Sequence, residues 1–238
     1  LESVELHWPG FDAVRIDRRV DSSVLCERDV WWLLGFWMAE GWTFRSTSIS
    51  GSHAYQIFVA YNSETEWKFA EKVKRVVVQY FNRTVGVRER GKSGQLAWSC
   101  QQLYEFLRNE FGAGALNKRF PEWVKGLPEN LLLAFLHGYW DGDGCLRGHR
   151  KSQVNFVSSS QNLIEGVSDA LRRLGIFGAV KWLRSQKIEA TIRGRKTTSN
   201  VAYELNISTA ISRELLRFWG CAEEMFVRRA RRSTYSDV

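Results

Sequence analysis

Leu33-Leu34-Gly35-Phe36-Trp37-Met38-Ala39-Glu40-Gly41 and Leu136-His137-Gly138-Tyr139-Trp140-Asp141-Gly142-Asp143-Gly144 are the two stretches that decide the fold. Each is an apolar run that ends in a carboxylate followed by a glycine. Within each, small residues fall four apart: Gly35 and Ala39, then Gly138 and Gly142. On a helix such residues share one face, and small residues there let two helix backbones approach closely. If the two helices pack on each other, Glu40 and Asp143 each lie just beyond the small face. Gly41 and Gly144 then take the place where a helix often ends in a left-handed conformation.

The segments after the two motifs also repeat. After Gly41 come strand-like runs at Thr43–Ser50 and Tyr55–Tyr61, rich in β-branched and aromatic residues. Glu64–Phe81 reads as a helix whose apolar positions Trp67, Ala70, Val73, Val77 and Tyr80 keep helical spacing. A hairpin-like pair, Thr84–Arg90 and Gln95–Cys100, is joined by Gly91-Lys92-Ser93-Gly94, and Gln101–Glu110 closes the unit as a short helix. After Gly144 the order returns: strand at Val154–Ser158, helix at Gln161–Leu174, strands at Ala179–Arg184 and Val201–Ile207, helix at Ala210–Phe218. Units of this length are too long for a solenoid repeat. The expectation is an α+β fold of two αββαββα units about a pseudo-twofold axis. Residues 1–29 form an N-terminal extension, 30–126 the first unit, 127–220 the second and 221–238 a basic tail.

Composition agrees with a globular chain. Of 238 residues, 44% are hydrophobic and 25% charged, so disorder is not expected. The net charge of +8 points to an anionic partner, nucleic acid before an acidic membrane surface. Cys26, Cys100, Cys145 and Cys221 form no CxxC pair, which argues against a zinc site or a disulfide framework. The default location is therefore a reducing, intracellular one, cytoplasm or nucleoid. No secretory signal is read at the N-terminus. The apolar runs Val30–Ala39 and Leu131–Trp140 are too short to span a bilayer, which needs roughly 20 residues. Of the 11 tryptophans, Trp31, Trp32 and Trp37 lie in the motif helix and are expected inside. Trp42 and Trp98 fall on or beside strands, where either face is open to them.

Two carboxylates at the C-terminal ends of two packed helices repel each other, and the helix dipoles are also negative there. Such a cluster calls for a hard divalent cation with oxygen ligands, Mg²⁺ being the usual choice beside phosphate. A metal between protein carboxylates and a phosphate is an arrangement for phosphodiester hydrolysis.

These residues resemble the LAGLIDADG homing endonucleases in their two-motif, single-chain form. Leu33–Gly41 and Leu136–Gly144 align with the nine-letter motif without gaps. Asn117-Lys118-Arg119-Phe120-Pro121, followed by Leu127-Pro128 and Phe135-Leu136, looks like the lysine-containing block before the second motif of intein-encoded members. The resemblance implies a metal site of Glu40 and Asp143 with Gly41 and Gly144. It implies Mg²⁺ or Mn²⁺ as cofactor, with Ca²⁺ a non-catalytic substitute. It also implies that Lys118 stabilises charge at the scissile phosphate or polarises the attacking water. Without the resemblance, Lys118 reads as a surface lysine before a proline-bounded turn. Aligning Phe111-Gly112 with Trp219-Gly220 places Arg228 or Arg229 near the symmetry position of Lys118, and an arginine cannot act as a base. Asn62 and Ser160 stand where many members carry lysine or glutamine. These departures leave nicking and loss of cleavage open.

The family fold implies two four-stranded antiparallel sheets forming a saddle over the major groove of double-stranded DNA, with a long target site and no partner subunit. Polar and basic residues do concentrate in the strands and hairpins: Arg45, His53, Arg88, Arg90, Lys92 and Gln95 in the first half, and Arg147, His149, Arg150, Lys151, Gln153, Lys181, Arg184, Gln186, Lys187, Arg193, Arg195 and Lys196 in the second. Arg and Gln can read base edges there, while other cations position phosphates. For any one of them, a solubilising role is as good a reading. Ser185–Asn200 is the best candidate for a long groove-reading hairpin.

Three rivals stand beside this reading. One is a DNA-binding regulator or RNA-splicing maturase that kept the fold and lost cleavage. Another is the endonuclease part of an intein, since the chain has neither an N-terminal Cys or Ser nor a C-terminal His-Asn pair. The third, a membrane-surface protein, needs an amphipathic basic helix, for which Cys221–Arg232 is a weak case.

Overall fold

The computed structural model describes residues 20–49, 51, 53–147, 153–184, 188–192, 195–199 and 201–220. Two units of the same order share one hydrophobic core. The first comprises α1 (Arg28–Glu40), β1 (Gly41–Thr47), β2 (His53–Asn62), α2 (Trp67–Phe81), β3 (Gly86–Arg90), β4 (Ser93–Ser99) and α3 (Gln101–Phe106). The second comprises α4 (Glu129–Asp143), β5 (Cys145–Arg147), β6 (Gln153–Ser158), α5 (Gln161–Arg173), β7 (Gly178–Arg184), β10 (Ala202–Ile207) and α6 (Thr209–Phe218). A two-stranded ribbon, β8 (Ile188–Ile192) and β9 (Arg195–Ser199), is inserted between β7 and β10. The sheets run β1-β2-β4-β3 and β5-β6-β10-β7, antiparallel throughout. The second order is the first with the ribbon set aside, and the expected α+β duplication is what the chain forms.

Helices α1 and α4 lie side by side with backbones in contact. A Cβ on Gly35 would strike Phe135 O and come within 2.8 Å of Tyr139 N. A Cβ on Gly138 would strike Trp32 O and come within 2.9 Å of Phe36 N. One turn further on, a Cβ on Gly142 would meet the Ala39 methyl. The small faces read from the motifs therefore oppose each other, and the matching advance along both helices makes them parallel. Both C-termini emerge at one end. Val30 to Met38 are buried all round α1, because its remaining sides are covered by sheet and helices. Trp32 Nε1 adds a polar tie across the pair, donating to Asp141 Oδ2 at 2.8 Å.

Several local expectations change. Gly41 and Gly144 are not left-handed: their φ, ψ angles of −101°, 158° and −78°, 154° are extended. Each helix runs straight into the next strand, and glycine is needed for space. A Cβ at either would collide with the indole of Trp37 or Trp140. Positive φ is found elsewhere, for instance at Gly112 (φ 81°) and Gly220 (φ 67°), one at the close of each unit, in line with the alignment of those two positions. Trp67 is 54% exposed, because it is the first residue of α2; Val76 and Phe81 join Ala70, Val73 and Val77 in the core. The β3–β4 turn is shorter than read, only Gly91-Lys92, with Gly91 at φ 60°. The helix read at Gln101–Glu110 gives way after Phe106 to a wider π turn, Leu107–Phe111.

Val20–Glu27 also packs against the first unit. Leu25 is buried, its carbonyl accepts from Trp31 Nε1 at 2.6 Å, and Val20 exchanges two hydrogen bonds with the Gln102 amide. Residues 1–19 and the tail 221–238 lie outside the described residues. Among the described residues no helix is long and apolar enough to cross a membrane.

The α1–α4 contact yields a direct test. Gly35→Ala or Gly138→Ala forces the helix backbones apart and should cost more than about 3 kcal/mol of unfolding free energy in urea titration. At Gly126 a Cβ would have nothing within 4 Å, so Gly126→Ala should change stability by less than about 0.5 kcal/mol. Equal effects at the three sites would refute the close approach.

Candidate metal centre and nucleic-acid face

Because α1 and α4 are parallel and in contact, their last residues meet. A Cβ on Gly142 would lie 3.1 Å from Glu40 Cγ, so the Glu40 side chain crosses towards the end of α4. Asp143 keeps open surface towards solvent but is crowded by protein on its other sides. That crowding first, and the negative charge of Glu40 second, push its carboxyl up to about 7, while Lys118 pulls the other way. The open side lets solvent screen the effect, so its stability cost is modest. It is also the side from which a cation or phosphate can arrive.

Lys118 comes from the segment joining the units and is 6% exposed. Its Nζ donates to Trp37 O (3.1 Å), Met38 O (2.7 Å) and Gly41 O (2.8 Å), and lies 4.9 Å from the centre of the Trp37 ring. An ammonium has three protons, and here three carbonyls at the end of α1 take them. The last carbonyls of a helix have no intrahelical partner and carry the negative end of its dipole, so a buried cation there is well matched. Burial lowers the Lys118 pKa to about 8, against the opposing pull of Asp143 and Glu40.

The linking segment is held from both sides. Ser160 Oγ, which also caps α5, donates to Lys118 O. Phe120 fills the space that the missing side chain of Gly166 leaves on α5. Asn62, the other departure from the family pattern, closes the turn after β2: its Oδ1 accepts from Glu64 N (3.0 Å) and Thr65 N (3.3 Å).

Two carboxylates and nearby backbone carbonyls form an all-oxygen donor set with surplus negative charge, which fits a hard divalent ion. Among the described residues no group of three or more His, Cys, Asp or Glu side chains is placed to hold a metal. Any ion here would therefore complete its shell with carbonyls, water or phosphate. The Gly41 carbonyl, named as a metal neighbour from the resemblance, accepts from Lys118.

Strand register sorts the residues read as nucleic-acid contacts. In the first sheet one face packs on helices through Ile57, Val59, Leu96 and Trp98. The other face is open, and Arg88, Arg90 and Gln95 stand on it. Lys92 is in the turn, 2.8 Å from Glu64. Arg45 and His53 share the face of Tyr55 and Ile57, away from the open one; Arg45 Nη2 lies 3.2 Å from His53 Nε2, and its guanidinium lies over Tyr55. In the second sheet Arg147 pairs with Gln153, Lys181 with Glu204 and Arg184 with Ala202, and in the ribbon Arg195 pairs with Ile192 and Lys196 with Thr191. Ser185–Asn200 does contain a hairpin. Arg150, Lys151, Gln186, Lys187, Arg193 and Arg228 lie outside the described residues, as does His149.

The sequence reading missed the aromatic part of the open face. Trp42 (38% exposed) and Phe44 (53%) alternate along β1, and Phe58 stacks on Trp42 at 5.2 Å and 7°. Period-two counting from the apolar Ile57 and Val59 finds Phe58, and the β1–β2 register then adds Trp42 and Phe44.

Residues 130–218 match the family model described as LAGLIDADG-like domain. A DNA polymerase of Thermococcus sp. (strain GE8) is 28% identical over 144 residues, covering 60% of this chain and 8% of that protein. The replication factor C small subunit of Methanocaldococcus jannaschii is 28% identical over 188 residues, covering 69% of this chain and 10% of that protein. The chain thus spans about a tenth of the length of these curated relatives. Among solved structures it is similar to I-DmoI in complex with DNA and Mn, at TM-score 0.57 and 17% identity, with 82% of this chain and 96% of that chain covered.

Two consequences are measurable. A carboxyl whose folded-state pKa is raised binds its proton more tightly in the native than in the unfolded state, so stability falls as pH rises from about 4 to about 7 and stays lowered above. In EDTA at pH 8, Asp143→Asn should therefore melt about 2 °C or more above the unmodified protein, with the gap closing as pH falls towards 4. No gap at pH 8 would mean that Asp143 is not crowded. Lys118→Met leaves three helix-end carbonyls without their donor and should cost about 2 kcal/mol in the same buffer.

Proposed function

Because the chain has the two-motif LAGLIDADG fold, we propose that it is a site-specific endonuclease of double-stranded DNA. The observation that carries this is the meeting of Glu40 and Asp143 at the ends of two helices in backbone contact. The relatives support it indirectly. A DNA polymerase and a replication factor C small subunit are different proteins, and the shared stretch is about a tenth of each, so what either whole protein does fails to explain the likeness. A self-contained unit with a chemistry of its own does, and I-DmoI, which has the same fold, was solved with DNA.

In this reading Glu40 and Asp143 hold Mg²⁺, which Mn²⁺ can replace and Ca²⁺ can occupy without catalysis. A bound divalent ion supplies an activated water and stabilises the departing oxygen of a phosphodiester. The chain's own residues do the rest. Glu40 and Asp143 present negative oxygen at one point. Lys118 neutralises the end of α1 and keeps positive charge within reach of both carboxylates. The two sheets hold the duplex so that its backbone crosses the helix ends. Both halves lie in one chain, so a monomer suffices.

A second reading, specific DNA binding without cleavage, has one observation in its favour. Asn62 and Ser160, where the family pattern often carries lysine or glutamine, are spent on a turn and a helix cap.

The deciding experiment incubates the protein with Mg²⁺ and a randomised duplex library and sequences the cut ends, with Glu40→Gln plus Asp143→Asn as control. Cleavage at one long site, reduced at least 10³-fold in the control, is the expected result, where the figure is about what removal of a main charge-stabilising group costs. Specific binding without a cut would establish the second reading, and no specific binding would sink both.

A further inference from the structure

The sheet faces that adjoin the carboxylates differ in chemistry between the two halves. In the first sheet, Trp42 follows Gly41 directly and pairs with Phe58, which pairs with Ala97. In the second, Cys145 follows Gly144 and pairs with Asn155, which pairs with Asn206. One side therefore presents a stacked indole and phenyl ring, extended by the exposed ring of Phe44. The other carries a thiol and amides in place of rings, and Asn155 is fully buried, its amide donating to Glu204 and Asn206. Gln56 pairs in register with Phe44, and Gln95 pairs with Arg88. Gln56, Phe58, Arg88, Gln95 and Ala97 line one shallow hollow in the first face.

An exposed aromatic cluster costs a folded protein solubility unless something apolar covers it. The flanking Arg88 and Arg90 and the net charge of +8 select an anionic occupant, which for an endonuclease of this fold is duplex DNA. Duplex DNA offers one apolar group on its major-groove edges, the 5-methyl of thymine; the adenine opposite offers the donor and acceptor that a glutamine amide matches in pairs. We infer that the first sheet reads T·A base pairs in the part of its half-site nearest the cut, with Trp42, Phe58 and Phe44 against thymine methyls and Gln56 on adenine. The second sheet has no apolar counterpart at the matching positions, so the two half-sites are chemically unlike.

This rests on the DNA-binding reading, and the test separates the two. Duplexes retained by the protein in Ca²⁺ are selected from two randomised libraries, one made with thymine and one with uracil, which lacks only the methyl. The expected result is a T·A preference at one or two neighbouring inner positions of a single half-site, present in the thymine library and flattened in the uracil library. At those positions, dT→dU should weaken binding about fourfold per methyl, the value of one buried carbon. Trp42→Ala and Phe44→Ala, both at exposed positions, should remove the preference at the same positions and leave the rest of the selected site unchanged. The dT→dU comparison needs no variant to fold. The same enriched site from both libraries, or an enriched site without inner T·A pairs, overturns the inference and leaves DNA recognition standing. Enrichment of nothing overturns both.

Discussion

The contact between α1 and α4 is the constraint on which the rest depends. Three positions, Gly35, Gly138 and the Ala39–Gly142 pair, allow two helix backbones to touch over their last two turns. Helices normally sit 8–10 Å apart because side chains keep them there. Removing those side chains on one stripe only, and on both helices, fixes the rotation of each helix about its axis as well as the distance. Everything downstream inherits that precision. Each helix runs directly into the first strand of its sheet, and the two carboxylates have no choice but to meet.

The charge arrangement is what such closeness costs. Two helix C-termini and two carboxylates lie together, with solvent screening left to the open side of the cluster. The chain offsets part of this with a lysine buried against the end of α1, itself held below its usual pKa by burial. Raised acidity in a lysine and lowered acidity in an aspartate at one site describe groups kept away from their comfortable ionisation states. Sites of that kind are commoner at functional centres than in plain structural cores, and here the residues are tied to chemistry by their open side.

How much could be read beforehand divides along physical lines. The duplication, the α1–α4 face and the order of elements were readable because each depends on a local pattern: Gly and Ala four apart, or apolar positions recurring at helical or strand period. Gly41 and Gly144 misled because a glycine after a helix has two separate uses. A left-handed φ is the common one, but room for an indole ring four residues back is the one in force, and that depends on a side chain's rotamer. Lys118 was singled out by its surroundings in sequence, yet its three acceptors lie about 80 residues away and no local pattern announces them. Trp67 kept helical spacing but stands at the first residue of α2, where the core has not begun. The basic residues were read as a set and could not be assigned to faces one by one, since Arg45 and Arg88 differ by the parity of a register that only pairing reveals.

The linking segment has an implication for how such chains are assembled and reassembled. Lys118 lies between the repeats, serves the helix of the first, and is anchored by Ser160 and by the Phe120–Gly166 contact in the second. The boundary between the halves is thus not a neutral seam. A gene fusion that joined halves of different parentage would preserve the interface glycines automatically, because both motifs carry them. It would break the anchoring of the lysine unless the connector travelled with the upstream half and its serine and glycine docking points were already present downstream. Recombination between relatives should accordingly succeed or fail by the compatibility of that short connector, well before the recognition surfaces are put to use.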